Sequence, residues 1–360
     1  MHDVVVIGGG VVGLSIAWES CRRGLSVVLV DQGRPGGEAS WAGAGMLPPG
    51  HPGSPLSELS SVSTDLWPQW SADLREQTGI DNGYRRCGGL RIPVERDEEI
   101  DAEIALWQSA GIEAEVLRGA EIRECEPELS IQSIDAVCRL PGLAQVRNPR
   151  HLKALNSGCR RGGVDFRCGQ PVLEFKEAHG RTCAAVTPTE EINGRQFVVA
   201  CGAWSGRVLS GCCDSIRIEP VRGQIVLLDG DCPPIGHVLE QGRRYVVPRP
   251  DGRVLVGSTE ERTGFEKANT AEAVSELIAF ATSLLPVLGS SRFDRAWSGL
   301  RPQSVRGLPY LGAVPGRENL FVAAGHFRDG LKLSPATAVV MAELITGQRP
   351  SIAIDQFAPR

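Results

Sequence analysis

The first 31 residues contain a complete strand, glycine loop, helix and second strand, and no other segment constrains the fold as strongly. An apolar strand is predicted over residues 4–7, and the pattern G-x-G-x-x-G follows at once over residues 8–13. A helix is predicted over residues 14–23, and a second apolar strand over residues 26–30 ends in Asp31. A βαβ unit of this kind is typical of proteins that bind dinucleotides. The start of the chain therefore predicts a Rossmann-like α/β fold.

Each polar or small residue of this unit has a physical role. Gly8 permits the tight turn, Gly10 lets the backbone approach a pyrophosphate, and Gly13 lets the helix pack closely on the strand. Asp31 accepts hydrogen bonds from a ribose 2′-hydroxyl, whereas a 2′-phosphate would be repelled. An ordinary glycine turn, which is the alternative, would not need these flanking elements. The motif predicts an adenine dinucleotide without a 2′-phosphate, which is FAD or NAD.

The composition excludes several classes of protein. The net charge of −5 is spread along the chain, so there is no basic region of the kind that binds nucleic acid. No run approaches the ~18 apolar residues of a membrane span. The 11 cysteines show neither C-x-x-C nor zinc-ligand spacing and are interpreted as reduced thiols. Because the first strand begins close to Met1, we expect no signal peptide and a soluble, cytoplasmic protein.

Small residues also follow two further strands that have a buried-type sequence. The strand predicted at residues 197–200 leads into small residues at 201–206, and the strand at 320–324 leads into a turn at 325–330. A third segment rich in small residues covers residues 33–50. Open α/β sheets bind ligands at the carboxyl ends of their strands. These segments are therefore predicted to meet around the dinucleotide.

The segments between these units alternate between apolar and polar residues, as antiparallel strands do. Such strands are predicted over residues 221–228, 245–249 and 254–258, and a hairpin turn joins the last two. We therefore expect a discontinuous nucleotide-binding domain covered by a second, antiparallel α+β domain. The predicted division places residues 1–84, 141–218 and 298–360 in the first domain and residues 85–140 and 219–297 in the second. Helices are predicted over residues 56–79, 95–110, 119–125, 148–161, 271–285 and 335–346.

Six segments have sequences specific enough to compare with known families. They are residues 4–31, 37–47 (GEASWAGAGML), 198–206 (VVACGAWSG), 244–257 (RYVVPRPDGRVLVG), 297–312 (WSGLRPQSVRGLPYLG) and 323–335 (AAGHFRDGLKLSP). In these segments the chain resembles the D-amino acid oxidase superfamily of flavoproteins, and within it the glycine oxidases of the thiamine pathway. An NAD dehydrogenase would share only the first of the six segments.

The resemblance implies three catalytic residues. Arg301 is the expected anchor of the substrate carboxylate, and its planar fork suits two-point binding of that group. Tyr245 is expected to lie over the substrate and to offer a hydroxyl donor. Arg328 is expected near the substrate and the flavin. For each of the three, the alternative is a structural side chain of the core or the surface.

The resemblance also implies FAD as the cofactor, and its contacts carry over motif by motif. Sarcosine oxidases attach FAD through a cysteine in a segment that here, at residues 313–320, has no cysteine, so we expect FAD to be non-covalent. The residues expected to bind FAD are Gly8, Gly10, Val11, Val12, Gly13, Asp31, Gln32, Ala39, Ser40, Ala44, Gly45, Met46, Val172, Cys201, Gly202, His326, Phe327, Arg328, Asp329, Gly330, Leu331 and Lys332.

Three residues depart from the glycine oxidase pattern. Asp329 stands where an asparagine is usual, Lys332 stands where an apolar residue is usual, and Arg243 adds positive charge near Tyr245. A lysine at position 332 is similar to the sarcosine oxidases. Lys332 is expected at the start of the last helix, where it either faces the flavin or points outward and pairs with Asp329. These departures leave the substrate open among glycine, sarcosine and small D-amino acids.

The resemblance implies oxidative deamination of glycine or a related small amine. The expected reaction is hydride transfer from Cα to flavin N5, hydrolysis of the imine to glyoxylate and ammonia, and reoxidation of the flavin by dioxygen to give hydrogen peroxide. One alternative is a dehydrogenase for a D-amino acid, sarcosine or proline that uses another acceptor. A second is a non-catalytic FAD-binding subunit. No metal is expected, and a homo-oligomer is compatible with the sequence.

Overall fold

The computed structural model describes residues 1–94, 100–132, 134–230 and 235–360. Within them the strands are β1 His2–Ile7, β2 Val27–Asp31, β3 Met46–Leu47, β4 Arg85–Arg86, β5 Gly89–Ile92, β6 Glu115–Arg118, β7 Ala136–Leu140, β8 Ala144–Gln145, β9 Asp165–Cys168, β10 Glu174–Ala178, β11 Arg181–Val186, β12 Glu191–Val199, β13 Ile218–Asp229, β14 Val238–Gln241, β15 Arg244–Pro248, β16 Val254–Gly257, β17 Arg292–Ser304, β18 Tyr310–Ala313 and β19 Leu320–Ala324. The α-helices are α1 Val11–Arg22, α2 Ala39–Ala42, α3 Ser57–Thr78, α4 Ile100–Ser109, α5 Ala120–Cys125, α6 Asn148–Arg161, α7 Ser205–Val208, α8 Ala271–Leu284 and α9 Ser334–Ile345.

The first sheet carries the predicted nucleotide-binding unit. Its strand order is β10-β11-β12-β1-β2-β9, and β19 pairs with β12 and with β18. Strand β1 is parallel to both β12 and β2, and β19 is parallel to β12. The carboxyl ends of β1, β12 and β19 therefore lie side by side. This confirms that the small-residue segments after these strands meet at one edge of the sheet.

Both faces of this sheet are covered, which explains why its strands are almost wholly apolar. Helices α1, α3, α6 and α9 pack on one face, where Leu14, Trp18 and Met341 are buried. The other face buries Val5, Phe197 and side chains of the segment that follows β12.

The second sheet is mostly antiparallel, with the order β17-β13-β16-β15-β14-β5-β7-β6. Long β13 pairs with β17 over most of its length, and β14 joins β5 in the parallel sense. Helix α8 packs behind this sheet and buries Leu277 and Phe280. A small third sheet contains β3, β8 and β4. The predicted α/β fold with an antiparallel second sheet is thus confirmed.

Three sequence-based expectations either differ from the structure or are not fully tested by it. The helix predicted over residues 95–110 is described as α4 from Ile100, and residues 95–99 lie outside the described residues. The last helix begins at Ser334, so Lys332 belongs to the turn before it and is not a helix residue. The domain division stays a prediction, and β17 runs without a break through its boundary between residues 297 and 298. In the described part of the chain, no helix is long and apolar enough to cross a membrane.

Candidate active site

A cavity of about 630 Å³ lies between the carboxyl edge of the first sheet and one face of the second. Tyr245, Arg301 and Arg328 line it. All residues that the sequence predicts as cofactor contacts line it as well, except Gly13. A Cβ at Gly13 would overlap the carbonyl oxygen of Gly8, so Gly13 permits close helix–strand packing and does not face the cavity. The structure thus brings the other predicted site residues together, although their individual roles stay predictions.

The glycine loop brings the start of helix α1 to the cavity wall. Gly8 has a φ of +103°, and a Cβ there would lie 2.5 Å from the carbonyl oxygen of Ala200. Helix α1 has Gly10 as its N-cap residue, which has no side chain to cap the helix, and its first turn has no acidic residue. Ser40 Oγ accepts a hydrogen bond of 2.9 Å from the Val11 amide. The positive end of the helix is therefore available to an anion, as a pyrophosphate requires.

Asp31 lies at the carboxyl end of β2 and is oriented by the backbone. Its Oδ2 accepts a bond of 2.6 Å from the Gly9 amide, and its Oδ1 accepts one of 2.7 Å from the Gly33 amide. A carboxylate has about four acceptor positions, so both oxygens retain capacity for ribose hydroxyls. The carboxylate therefore fits the adenosine end of FAD.

The segment of small residues after Ala39 forms a second wall of the cavity. A Cβ at Gly45 would overlap the carbonyl oxygen of Val146, and Gly45 has a φ of +76°, so only glycine fits there. The buried guanidinium of Arg249 donates a bond of 2.5 Å to the carbonyl oxygen of Ala44. Asn148 Nδ2 donates a bond of 2.8 Å to the carbonyl oxygen of Ser40. The wall is thereby held close and nearly free of side chains, which suits a planar ring system.

The face of the second sheet that lines the cavity is defined by strand register. Residues directly opposite one another in adjacent strands project to the same face. Residues that lie opposite one another in six successive strands form one row across the sheet, and Tyr245 lies near the middle of this row. From β17 to β5 the row is Trp297, Ile225, Gly257, Tyr245, Glu240 and Arg91.

Glycines in neighbouring strands make room for the two large side chains of the site. A Cβ at Gly257 would lie 2.6 Å from the Tyr245 ring, so the ring lies directly over the Gly257 backbone. A Cβ at Gly223 would overlap the guanidinium of Arg301. Tyr245 and Arg301 therefore lie flat along the sheet and form part of the cavity wall.

Arg301 is bound by neutral groups. Its Nη2 donates a bond of 2.6 Å to Ser258 Oγ, and its Nη1 donates one of 3.0 Å to the carbonyl oxygen of Thr259. Among the residues that the structure describes, no carboxylate forms an ion pair with it. Burial lowers the pKa of this guanidinium, although arginine stays charged at neutral pH. A partly buried positive charge that no described carboxylate neutralises favours binding of an anionic ligand.

Arg328 lies at the mouth of the cavity in a cluster of charges. Its Nη2 donates a bond of 2.6 Å to Glu260, and Glu260 also pairs with Arg243 at 3.1 Å. Burial alone raises the pKa of Glu260, but the hydrogen bond and charge of Arg328 outweigh burial and hold that pKa below its usual value. The Arg328 guanidinium is therefore engaged by protein, in contrast to that of Arg301.

The sequence analysis leaves two arrangements open for Lys332, facing the cofactor or pairing with Asp329, and the structure has features of both. It lines the cavity and is only 8 % exposed, and its Nζ pairs with Asp329 Oδ1 at 2.8 Å. Its carbonyl oxygen accepts bonds from Ser63 Oγ at 2.7 Å and Trp67 Nε1 at 2.9 Å, which fix the turn. Lys332 thus lies at the cavity with its charge largely balanced by Asp329. Two of the three residues that depart from the family pattern, Asp329 and Lys332, therefore form one ion pair.

His326 is buried beside this turn. Its Nε2 lies 3.2 Å from Thr337 Oγ1, and burial lowers its pKa to about 4. It is therefore neutral at pH 7 and contributes shape and hydrogen bonding to the cavity wall. In the described part of the chain, no group of three His, Cys, Asp or Glu side chains is arranged to hold a metal ion.

Two residues of the site were missed by sequence reasoning. Glu240 lines the cavity from β14, a strand that the sequence analysis does not predict, and Ser258 accepts a hydrogen bond from the Arg301 guanidinium. The sequence around Glu240 does contain a signal for its position, which is the glycine of a hairpin turn. Gly242 separates two short segments that form a hairpin, and in its register Glu240 lies directly opposite Tyr245.

Comparison with known proteins identifies the class to which this site belongs. Residues 3–344 match the model of the family described as FAD dependent oxidoreductase, and the chain belongs to that family. It is therefore a FAD-dependent oxidoreductase.

Its relatives include several glycine oxidases. The chain is 36% identical to glycine oxidase of Pseudomonas putida over 99% of this chain and 98% of the relative. The crystal structure of glycine oxidase from Geobacillus kaustophilus superposes with a TM-score of 0.95 at 30% identity, over 100% of this chain and 98% of that chain. The chain is also 31% identical to the bifunctional protein ThiO/ThiG of Synechocystis sp., over 99% of this chain and 54% of the relative.

Proposed function

We propose that this protein oxidises glycine, or a closely related small amine, to the 2-oxo acid glyoxylate with release of ammonia and hydrogen peroxide. The observation that carries the proposal is the partly buried guanidinium of Arg301, which lies without a carboxylate partner among the described residues in the same cavity as the dinucleotide-binding loop. The glycine oxidases among the relatives support this choice of substrate.

The chain's own residues position the substrate. The fork of Arg301 receives the carboxylate in two-point geometry, which fixes rotation about the Cα–carboxylate bond. The Tyr245 hydroxyl, on the same face of the sheet, donates a further hydrogen bond to that carboxylate. These contacts to the carboxylate hold the substrate so that its Cα–H bond is oriented for transfer of the hydride. FAD, when bound in the cavity, would accept the hydride from Cα, which carries both electrons of the oxidation.

The overall reaction balances without an acid–base pair on the protein. Glycine, dioxygen and water give glyoxylate, ammonia and hydrogen peroxide, with the two electrons of the C–N oxidation passing to dioxygen. The amine must be neutral when hydride leaves, because its lone pair stabilises the developing iminium. We further propose a role in thiamine biosynthesis, which rests on the similarity to the ThiO half of a bifunctional relative.

The test is an anaerobic substrate panel on the purified holoenzyme. Glycine, sarcosine, D-alanine and L-proline are mixed with the oxidised protein, and loss of flavin absorbance is followed. We expect the fastest reduction with glycine, followed under air by equal amounts of glyoxylate and hydrogen peroxide. Faster reduction by proline or sarcosine, or reoxidation only by a quinone, would favour a dehydrogenase. An absence of reduction by every amine would favour the non-catalytic subunit.

A further inference from the structure

Glu240 is a carboxylate in the cavity wall that no described residue binds. It lies on β14 directly opposite Tyr245, and both side chains line the cavity. In the described part of the chain, neither a hydrogen bond nor an ion pair joins its carboxylate to another residue. The side chain is half-buried, and a partly desolvated charge without a partner is costly, so it calls for an explanation.

The charges around Glu240 are already balanced by other groups. Three cations and one further carboxylate act on it: Arg91 from β5, and Arg328, Lys332 and Asp329 from the segment after β19. Each cation has a partner of its own. The pairs are Arg91 with Glu103, Arg328 with Glu260, and Lys332 with Asp329.

Where the second sheet and the segment after β19 form the cavity wall, two charges therefore remain without an ionic partner among the described residues: the guanidinium of Arg301 and the carboxylate of Glu240. Tyr245 lies between them. It is directly opposite Glu240 in the register of β14 and β15, and its ring lies over the Gly257 backbone on the side of Arg301. One unpaired cation and one unpaired anion on the same wall are complementary to a zwitterion, whose carboxylate and ammonium groups carry opposite charges.

We propose that Glu240 binds the amino group of the substrate, while Arg301 binds its carboxylate. The proposal rests on the amino acid oxidation proposed above and names the residue that recognises the amine. It makes Glu240 the residue that distinguishes an amino acid from a simple carboxylic acid of the same size.

This position also gives Glu240 a chemical role. An amino acid arrives mostly as the ammonium form, whereas the oxidation needs the neutral amine. One proton passes from the ammonium nitrogen to a carboxylate oxygen of Glu240, which gives R–NH₂ and the neutral acid, so charge and atoms balance. Burial raises the pKa of Glu240, which makes its carboxylate a better proton acceptor than an exposed glutamate.

The test compares two ligands that differ only by the amine, glycine and acetate, on the holoenzyme of parent and Glu240→Gln. Acetate affinity is read from perturbation of the flavin spectrum, and glycine affinity from the concentration dependence of anaerobic reduction. We expect the variant to bind glycine about tenfold to a hundredfold more weakly, because a hydrogen bond to a charged group is lost. Acetate should bind within about threefold of the parent.

Two further variants and a pH series complete the experiment. Glu276→Gln, which removes an exposed carboxylate paired with Arg244, is the matched control and should change neither affinity. Glu240→Asp, which keeps the charge but shortens its reach, should fall between parent and Glu240→Gln. In the parent, glycine affinity should fall as pH is lowered through the raised pKa of Glu240, and Glu240→Gln should lack that dependence.

The proposal would be overturned if Glu240→Gln weakened glycine and acetate equally, or weakened neither. It would also be overturned if only the flavin midpoint potential moved while the ratio of the two affinities stayed constant. Failure of the proposed reaction would be seen separately. If glycine did not reduce the flavin at all, its perturbation of the oxidised spectrum would still give an affinity for each variant.

Discussion

Arg301 is a partly buried arginine whose hydrogen-bond partners are neutral groups. Ser258 and the Thr259 carbonyl orient its fork but do not neutralise it. Arg328, by contrast, carries its own counter-ion at the cavity mouth. At the residue scale, the carboxylate anchor is therefore better placed on Arg301 than on Arg328.

Arg301→Ala should abolish most glycine oxidation while FAD is retained. An ion pair left half-made in a closed site costs ~3–5 kcal/mol, which is on the order of a hundredfold or more in kcat/KM. Arg301→Lys should recover only part of the activity, because a point charge cannot reproduce the fork. Steady-state kinetics and the flavin spectrum measure both effects. Arg295→Ala, at an exposed arginine of the same strand, is the control, and near-parental kinetics for Arg301→Ala would place the anchor elsewhere.

The Lys332–Asp329 pair predicts opposite effects of its two single variants on the flavin midpoint potential. Asp329→Asn leaves the Lys332 ammonium uncompensated at the cavity and should raise the potential, since a positive charge favours the reduced flavin. Lys332→Met leaves the Asp329 carboxylate and should lower it. About 30 mV corresponds to about 1.4 kcal/mol for a two-electron couple, so shifts of tens of millivolts are expected.

The double variant tests whether the charges of the pair are the cause of these shifts. Asp329→Asn with Lys332→Met removes both charges and should return the potential close to that of the parent. Redox titration at one pH and one salt concentration gives all four values. If the single variants moved the potential in the same direction, or not at all, the pair would not act on the flavin.

At the scale of elements, the sheet face depends on the absence of side chains in its central strands. Gly257 on β16 and Gly223 on β13 let Tyr245 and Arg301 lie flat against the backbone. Gly299 on β17 similarly lies against Ala42, where a Cβ would be 2.6 Å from the alanine Cβ. Glycines in the second sheet thus leave space for its own large side chains and for the helix that begins at Ala39.

Gly257→Ala should therefore impair substrate binding more than folding. The new methyl group would lie 2.6 Å from the Tyr245 ring and force it from the sheet. Such overpacking costs about 1–3 kcal/mol, and displacement of the Tyr245 hydroxyl should raise the KM for glycine by about tenfold. Gly289→Ala is the control, because its Cβ would meet no atom within 4 Å. Equal KM values for the two variants would show that the ring position is unimportant.

At the scale of the whole molecule, sequence predicted the local units and missed much of what depends on long-range pairing. The unit from β1 to Asp31 could be predicted because its strands, loop and helix are contiguous and each has a strong residue signal. Strand β14 was missed because it has only four residues and pairs with β5, about 150 positions earlier. The ion pair of Arg328 with Glu260 likewise joins positions 68 residues apart, and no local pattern indicates it.

The cavity has walls from both sheets, so FAD is expected to stabilise the whole molecule. The holoenzyme should be yellow and should release intact FAD on acid or heat denaturation, because no cysteine lies in residues 313–320. The apoprotein should melt several degrees lower, since a ligand at a hundredfold excess over its Kd stabilises the native state by about 2.7 kcal/mol. Added FAD should restore the melting temperature, whereas FMN, which lacks the adenosine that Asp31 is predicted to bind, should not. Flavin that remained with the denatured polypeptide would show a covalent link, and equal rescue by FMN would show that the Asp31 end of the cavity does not bind adenosine.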